Sequence, residues 1–320
     1  MPVKSTGEDH EGNELCAARR AWCGACRKQR RISGRTGILE ILRTIPEVCE
    51  IHRPHPCLCA GATCLAGLRT SQFKPAVAGA DIEGYVKKGE EFTYEKHGFV
   101  ASAYDLTTDQ YGTQLDPPSH WNPKGATISD LPPTFAVRPL VVIDISGKAK
   151  TDEGYHLKVA DIEEWEKKHG RIPEGSVVFV RSDWYKKWNE PERFAKAPFP
   201  GVSLDALKFL HLERKILFHG HEPLDTDTTP TLEGEYWLMH NNFVQAEGVA
   251  NLDKVPEAGA LVTIGFAKPQ GGSGGYARYI AIAPADWPQG VSVNDAPGAP
   301  LPEQTAPLKR DKDGVFRPTP

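Results

Sequence analysis

The apolar runs of this chain are short, and their brevity limits the fold more than any other feature. Residues 138–145, with Pro-Leu-Val-Val-Ile-Asp-Ile at their heart, form the strongest; 176–181, 215–218 and 260–266 are the others. Runs of this length, bounded by turn residues, read as buried strands. Residues 159–169 place Ala160, Ile162 and Trp165 on one face and charges on the other, which is a helical pattern. Ser203 caps a helix expected over 204–212, and 232–243 reads as another. Alternating strands and helices put the chain in the α/β class. After 260–266, the glycine-rich connection Gly271–Gly275 turns the chain back into a strand over 276–282. That connection lacks the Lys-Ser or Lys-Thr ending of a phosphate loop, so it is read as a turn or a pocket wall. One or two loosely alternating strands are expected over 91–106.

The chain has 320 residues, 25% of them charged, with a formal net charge of -4. That balance gives no reason to expect nucleic acid or an anionic membrane as a partner. No apolar run approaches the ~18 residues of a membrane-spanning helix. The polar, acidic start is neither a secretory nor a transit leader, so a cytoplasmic protein is expected.

All seven cysteines lie at or before Cys64. Cys23-Gly24-Ala25-Cys26 has the spacing of half a zinc site or of a redox pair, but Cys57, Cys59 and Cys64 do not complete it. Residues 1–70 are read as an atypical Cys-rich extension, disordered or poorly packed, with a small zinc knot or a helical cap as the alternatives; 71–290 is read as the functional domain, and 291–320 as a proline-rich disordered tail.

The chemistry-bearing residues gather at the ends of the apolar runs. Gln110, Gln114, Asp116 and His120 surround a Gly-Thr turn and a rigid Pro-Pro. His219, His221, Glu222, Asp225 and Asp227 follow the run at 215–218, and Glu235, His240 and Glu247 come soon after. Three polar clusters at strand ends point to one assembled site, and to an enzyme rather than a binding module.

The segment Gln110-Tyr-Gly-Thr-Gln-Leu-Asp-Pro-Pro-Ser-His120 resembles the signature His-x-Gly-Thr-His-x-Asp-x-Pro-x-His of the cyclase family of metal-dependent hydrolases. Kynurenine formamidases and isatin hydrolases are members of that family. The resemblance extends from about residue 92 to 282, with Phe199-Pro-Gly201, 220–227 and 247–252 as further landmarks. It implies a swivelling β/β/α-type domain, a mixed β core packed against helices, and a homodimer or larger homo-oligomer. The implied activity is hydrolysis of a carbon–nitrogen bond in a formamide such as N-formylkynurenine or in a cyclic amide such as isatin. A lactone or ester hydrolase is the alternative, as is a non-catalytic binding protein on this scaffold.

The family's metal would be Mn²⁺ or Zn²⁺, with Mg²⁺ also admitted. Two histidines of the signature are Gln110 and Gln114 here, and the histidine expected twelve residues before Glu247 is Glu235. The candidate ligands are Gln110, Gln114, Asp116, His221, Glu235, His240 and Glu247. His120 corresponds to the family's acid/base, with Asp116 beside it. Trp121, Trp184, Phe99 and His219 are the candidate substrate contacts, the tryptophans as flat walls.

Overall fold

In the computed structural model, the described residues are 71–110, 112–284, 286–289 and 300, together with the backbone at 309–310 and 316–317. All belong to one unit, Glu40–Pro320. The cysteine-rich extension expected over 1–70 lies outside the described residues, as does most of the expected tail. Of that tail, Lys309–Arg310 pairs antiparallel with Phe316–Arg317.

The strands are β1 (Gln72–Pro75), β2 (Ser102–Asp105), β3 (Gln114–Asp116), β4 (Val137–Asp144), β5 (His156–Leu157), β6 (Val177–Arg181), β7 (Gly201–Val202), β8 (Phe218–His221), β9 (Val244–Glu247), β10 (Ala260–Phe266) and β11 (Gly275–Ile282). Seven of them close a barrel in the order β10-β11-β3-β9-β8-β6-β4. Strands β4, β6, β8 and β9 run parallel, whereas β3, β10 and β11 join by antiparallel pairs. The helices are α1 (Tyr94–His97), α2 (Ser146–Thr151), α3 (Val159–His169), α4 (Pro191–Phe194), α5 (Leu204–Lys208) and α6 (Glu233–His240). This is an α/β fold with a mixed, barrel-like core packed against helices, of the swivelling β/β/α type.

Strand alternation divides the core into two. Leu115, Leu140, Val142, Val177, Phe179, Phe218, Ala246, Val262 and Tyr279 fill the barrel. Val141, Ile143, Val178 and Val180 point the other way, against Ile162 and Trp165 of α3, Ala206 and Leu207 of α5 and Leu238 of α6. Successive residues of β4 and β6 thus serve opposite layers, which is why these strands are apolar at nearly every position.

The strand at 137–144 and the helix at 159–169 match the sequence reading. The helix expected over 204–212 is α5 continued by a π-helical turn at Phe209–Glu213. The region 91–106 yields one strand, β2, and the short helix α1 rather than two strands, and β1 has no sequence-based counterpart. Strand β8 begins at Phe218 and carries His219 and His221 within it, so those histidines do not lie beyond a strand end. The helix expected over 232–243 stops at His240, and Val244–Glu247 is a separate strand. No helix among the described residues is long and apolar enough to cross a membrane.

Candidate active site

Alternation on β3, β8 and β9 builds a buried polar layer on the outer face of the barrel. Leu115 and Ala246 point inward; Gln114, Asp116, Gln245 and Glu247 therefore point outward. His219 pairs with Gln245, Gln245 with Asp116, and Glu247 with Gln114, so the outward side chains form neighbouring rows. Asp116, His219 and Gln245 have no exposed surface, and Glu247 and His221 almost none.

Three glutamine amides stitch the layer together. Thr226 Oγ1 donates to Gln245 Oε1 at 2.6 Å, and Gln245 Nε2 donates to Glu247 Oε1 at 2.7 Å. Gln114 Nε2 donates to Glu247 Oε2 at 2.6 Å and to Asp116 Oδ2 at 3.3 Å. Gln110 Nε2 donates to Asp116 Oδ1 at 3.1 Å and lies 2.8 Å from His120 Nδ1. Neutral donors thus meet each carboxylate from both sides, partly replacing the hydration that burial removes.

Local sequence fixes these positions. Pro117 and Pro118 lead into the 3₁₀ turn Pro118–His120, which delivers His120 to the rim. Asp109 accepts from the backbone nitrogens of Ser273 and Gly274 at 3.1 and 2.9 Å, so the glycine-rich connection holds the chain beside Gln110. A Cβ at Gly274 would come within 2.5 Å of Gln110 Cγ, and only glycine leaves that side chain room. Asp227 accepts from Gly234 N at 2.8 Å and anchors the first turn of α6, which carries Glu235.

A cavity of about 90 Å³ opens beside the layer, lined by Gln110, Gln114, His120, Trp121, Leu224, Asp225, Glu235 and Glu247. His120 Nε2 lies 3.7 Å from Glu235 Oε1, and the other Glu235 oxygen is buried with no hydrogen-bond partner. Burial, reinforced by the neighbouring carboxylates, pushes Glu247 and Glu235 well up from the usual range; burial also raises Asp116 against its amide donors. Burial lowers the pKa of His120. The His120–Glu235 contact at neutral pH is accordingly one between a neutral imidazole and a carboxyl group, not a standing ion pair.

The other sequence-based candidates lie elsewhere. His221 sits behind the cavity wall, its Nε2 3.7 Å from Glu247 Oε1, with burial holding its pKa near 3. His219 stacks on His221 and packs edge-on against His211, away from the cavity. The exposed His240 stacks on Tyr236 at 3.8 Å and lines a separate groove with Leu204 and Trp237. Trp184 is buried against Phe194 and Phe199 and donates to Phe194 O at 3.1 Å, so it is packing and not a pocket wall. Phe99 stacks on Phe92 and stays 43% exposed. Gln245, absent from the sequence-based set, completes the layer; its spacing of two from Glu247 was the available signal. Leu224, which no sequence feature singled out, also lines the cavity, as does Asp225 of the second polar cluster.

The family resemblance implies a divalent ion, and the donors at the cavity test the fit. Glu235 and Glu247 line one small cavity, Asp116 is hydrogen-bonded to two of its lining glutamines, and among the described residues no lysine or arginine lines it. A cation suits that charge, and the donors are oxygens, with amide carbonyls where the signature has imidazoles. The set fits a hard ion and not a histidine-rich zinc site. Among the described residues no three His, Cys, Asp or Glu side chains stand at ligand spacing. Amide N–H groups bridge the carboxylates instead.

The cyclase family model matches residues 57–228, which include the signature but stop short of Glu235 and Glu247. Isatin hydrolase of Roseibium aggregatum is 30% identical over 208 residues, covering 60% of this chain and 78% of that protein. Among solved structures, isatin hydrolase A from Labrenzia aggregata, bound to benzyl benzoate, is 25% identical and superposes with a TM-score of 0.60 over 75% of this chain and 93% of its own. An isatin hydrolase bound to the product analogue thioisatinate shares the fold at 23% identity, with a TM-score of 0.63 over 78% and 96% of the two chains. With more than half of its length matched by the family model, and with Gln110, Gln114 and His120 of the signature lining one cavity, the chain belongs to the cyclase family and is related to isatin hydrolase.

Proposed function

We propose that the protein hydrolyses a carbon–nitrogen bond in a cyclic amide of the isatin type or in an aryl formamide. The observation that carries this reading is the meeting of Glu235, Glu247 and His120 at one cavity, with Asp116 hydrogen-bonded to its lining glutamines Gln110 and Gln114. The relatives named as isatin hydrolases point the same way. Asp116 and Glu247, with the carbonyl oxygens of Gln110 and Gln114, would hold a divalent ion, Mg²⁺ or Mn²⁺ in preference to Zn²⁺. When bound, such an ion polarises a carbonyl and lowers the pKa of water.

The chain's own residues do the rest. Trp121 and Leu224 give the cavity an apolar wall on which a flat ring rests, while the carboxylates face its reacting edge. His120 presents Nε2 to the same space and manages a proton or a developing charge there. A homodimer is part of the proposal on family grounds alone.

A hydrolase panel of aryl formamides, cyclic amides and lactones, run with Mg²⁺, Mn²⁺ and Zn²⁺ in turn, tests the reading. Ring opening of a cyclic amide or deformylation supports it. Turnover of lactones alone moves the activity to esters, and no turnover with any ion makes this a binding protein on the cyclase scaffold.

A further inference from the structure

Asp225 is the carboxyl group of the cavity that the chain leaves without a donor. Three carboxyl groups line that space. Glu247 receives Gln245 Nε2 at one oxygen and Gln114 Nε2 at the other, and Glu235 faces His120 Nε2 at 3.7 Å. Among the described residues, Asp225 receives no hydrogen bond and pairs with no lysine, arginine or histidine. Nor is it a freely solvated surface group. Burial, with Asp227 nearby, holds its carboxyl above the usual aspartate range. A partly desolvated acceptor of this kind is unfavourable until something donates to it.

The backbone on both sides of Asp225 is fixed. Pro223 O accepts from Gly248 N at 3.0 Å, and Thr226 O accepts from Val202 N at 2.8 Å. Thr226 Oγ1 donates to Gln245 at 2.6 Å, and Asp227 accepts from Thr229 N at 2.9 Å and Gly234 N at 2.8 Å. Leu224 lines the cavity and also packs against the cluster of Trp184, Phe194 and Phe199. Asp225 is thus held between residues tied to β7, β9 and α6, with little backbone freedom left to lose on binding. Residues 224 and 225 offer an apolar surface and an acceptor side by side at one cavity. The ligand that fits them is a flat ring with an N–H on its edge, the ring against Leu224 and Trp121 and the N–H on Asp225.

We propose that Asp225 is a specificity residue that accepts the N–H of an aryl secondary amide, and so selects such amides over their N-alkylated and ester counterparts. That the bound amide is also a substrate rests on the hydrolase reading above. The role does not depend on the charge of Asp225: ionised or protonated, one oxygen keeps a lone pair for an N–H. An ester or lactone puts an oxygen where the N–H belongs, and an N-methyl amide puts a methyl group there. Either one leaves Asp225 unpaired in a space the ligand has emptied of water. Rejection through an unpaired polar group is far stronger than rejection through a missing methylene.

Calorimetric titration of the full chain with oxindole and with N-methyloxindole reads the contact without turnover, and the fused ring keeps the amide geometry the same in both probes. The parent should bind oxindole roughly 10-fold or more tightly than its N-methyl form. Asp225→Leu keeps the bulk and removes the acceptor, so it should bind the two alike. Asp225→Asn still offers an amide oxygen and should retain most of the preference. A parent that binds both rings equally, or binds neither, overturns the assignment. A preference that survives in Asp225→Leu also overturns it, because the N-methyl form is then excluded by bulk. In the kinetic arm, Asp225→Leu should raise KM for isatin roughly 10-fold, with kcat changed only a few-fold and N-methylisatin affected little. Equal losses on both substrates would mean a structural role and overturn the proposal. A parent that binds oxindole through Asp225 yet hydrolyses nothing in the panel overturns the hydrolase reading and leaves the binding role of Asp225 standing.

Discussion

The two faces of β3, β8 and β9 are built on opposite principles. Inward, Leu115, Phe218 and Ala246 pack with Phe179 and Tyr279 in a dry barrel, and Gly220 sits where a Cβ would come within 2.7 Å of the Phe179 ring. Outward, the same strands carry Gln114, Asp116, His219, His221, Gln245 and Glu247, nearly as buried and all polar. The inner face is held by apolar area and close packing, at about 25 cal/mol per Å² buried. The outer face is held by a directed row of amide donors, and each missing donor leaves a buried carboxylate to be neutralised some other way. The first arrangement gives stability, and the second holds buried carboxyl groups and their amide donors next to a cavity.

Asp116→Asn should break the outer face most severely. The carboxylate that receives both Gln110 and Gln114 becomes an amide and loses the charge that would face a cation. Turnover is expected to fall by roughly 10²-fold or more, together with divalent-ion affinity. Activity assays and calorimetric Mg²⁺ titration check both, and parental values in both would take Asp116 out of the chemistry.

On the inner face the matching change is Phe179→Ala. Its ring contacts Tyr279 and Phe218 in the barrel centre and is fully buried. The loss should be about 3–5 kcal/mol in urea unfolding, with site geometry retained under folded conditions. If Phe179→Ala instead abolished metal binding while costing little stability, the division between the two faces would be wrong.

That division also explains what the sequence made legible. The inner and helix-facing residues of β4 and β6 are apolar, so those strands announce themselves, and amphipathic α3 does too. Gln110, Gln114, Asp116, His120 and Glu247 were picked out through the signature and its spacing, and the fold joins them in one run of side-chain contacts. Strands β8 and β9 were harder, because Phe-His-Gly-His and Val-Gln-Ala-Glu are half polar and resemble loop sequence. Polar residues buried on a strand mimic exposed ones until pairing is known. His219 and His221 were consequently placed at the end of a strand, and Gln245 was passed over. Trp184 and His240 failed for a different reason: residue type suggested chemistry, whereas one packs in a side cluster and the other stacks on the surface.

Glu222, the residue after β8, sharpens the comparison because it is a buried ionisable group that does not belong to the cavity. It accepts from Ser182 Oγ at 3.0 Å and from Tyr185 N at 3.3 Å, and burial pushes its pKa up from 4.5 to about 8. The folded state therefore holds a proton that the unfolded chain releases. Its stability contribution is full below about pH 4.5 and is lost as pH rises through 8, amounting to a few kcal/mol, about 1.4 for each pH unit between the two values. Glu222→Gln keeps the acceptor oxygen and removes the titration. The unfolding free energies of parent and variant should agree near pH 4 and separate by pH 9, the variant being the more stable. Parallel curves across that range would show that Glu222 is already solvated or charged.

The smallest expected effect is also the most direct test of why this layer uses amides. Gln114 donates to both Glu247 and Asp116, so it satisfies two carboxylates at once, and only its carbonyl remains to meet a cation. An amide oxygen is a neutral, hard donor, whereas imidazole is a better ligand for zinc. Gln114→His restores the residue type of the signature and removes one of the two N–H groups. Zinc affinity should rise by about tenfold, while Mg²⁺ affinity should hold steady or fall slightly, since the hard ion gains nothing from nitrogen. Competitive titration of the two ions into parent and variant measures the ratio. Tight zinc binding by the parent, unchanged in Gln114→His, would mean that nitrogen ligands already reach the ion. His221 is the side chain that would have to supply one, since it lies 3.7 Å behind Glu247 and has neither ring nitrogen hydrogen-bonded. A His221→Phe variant that then lost zinc would move the metal centre deeper into the polar layer and leave the Gln110–His120 pair as the outer, substrate-facing half of the site.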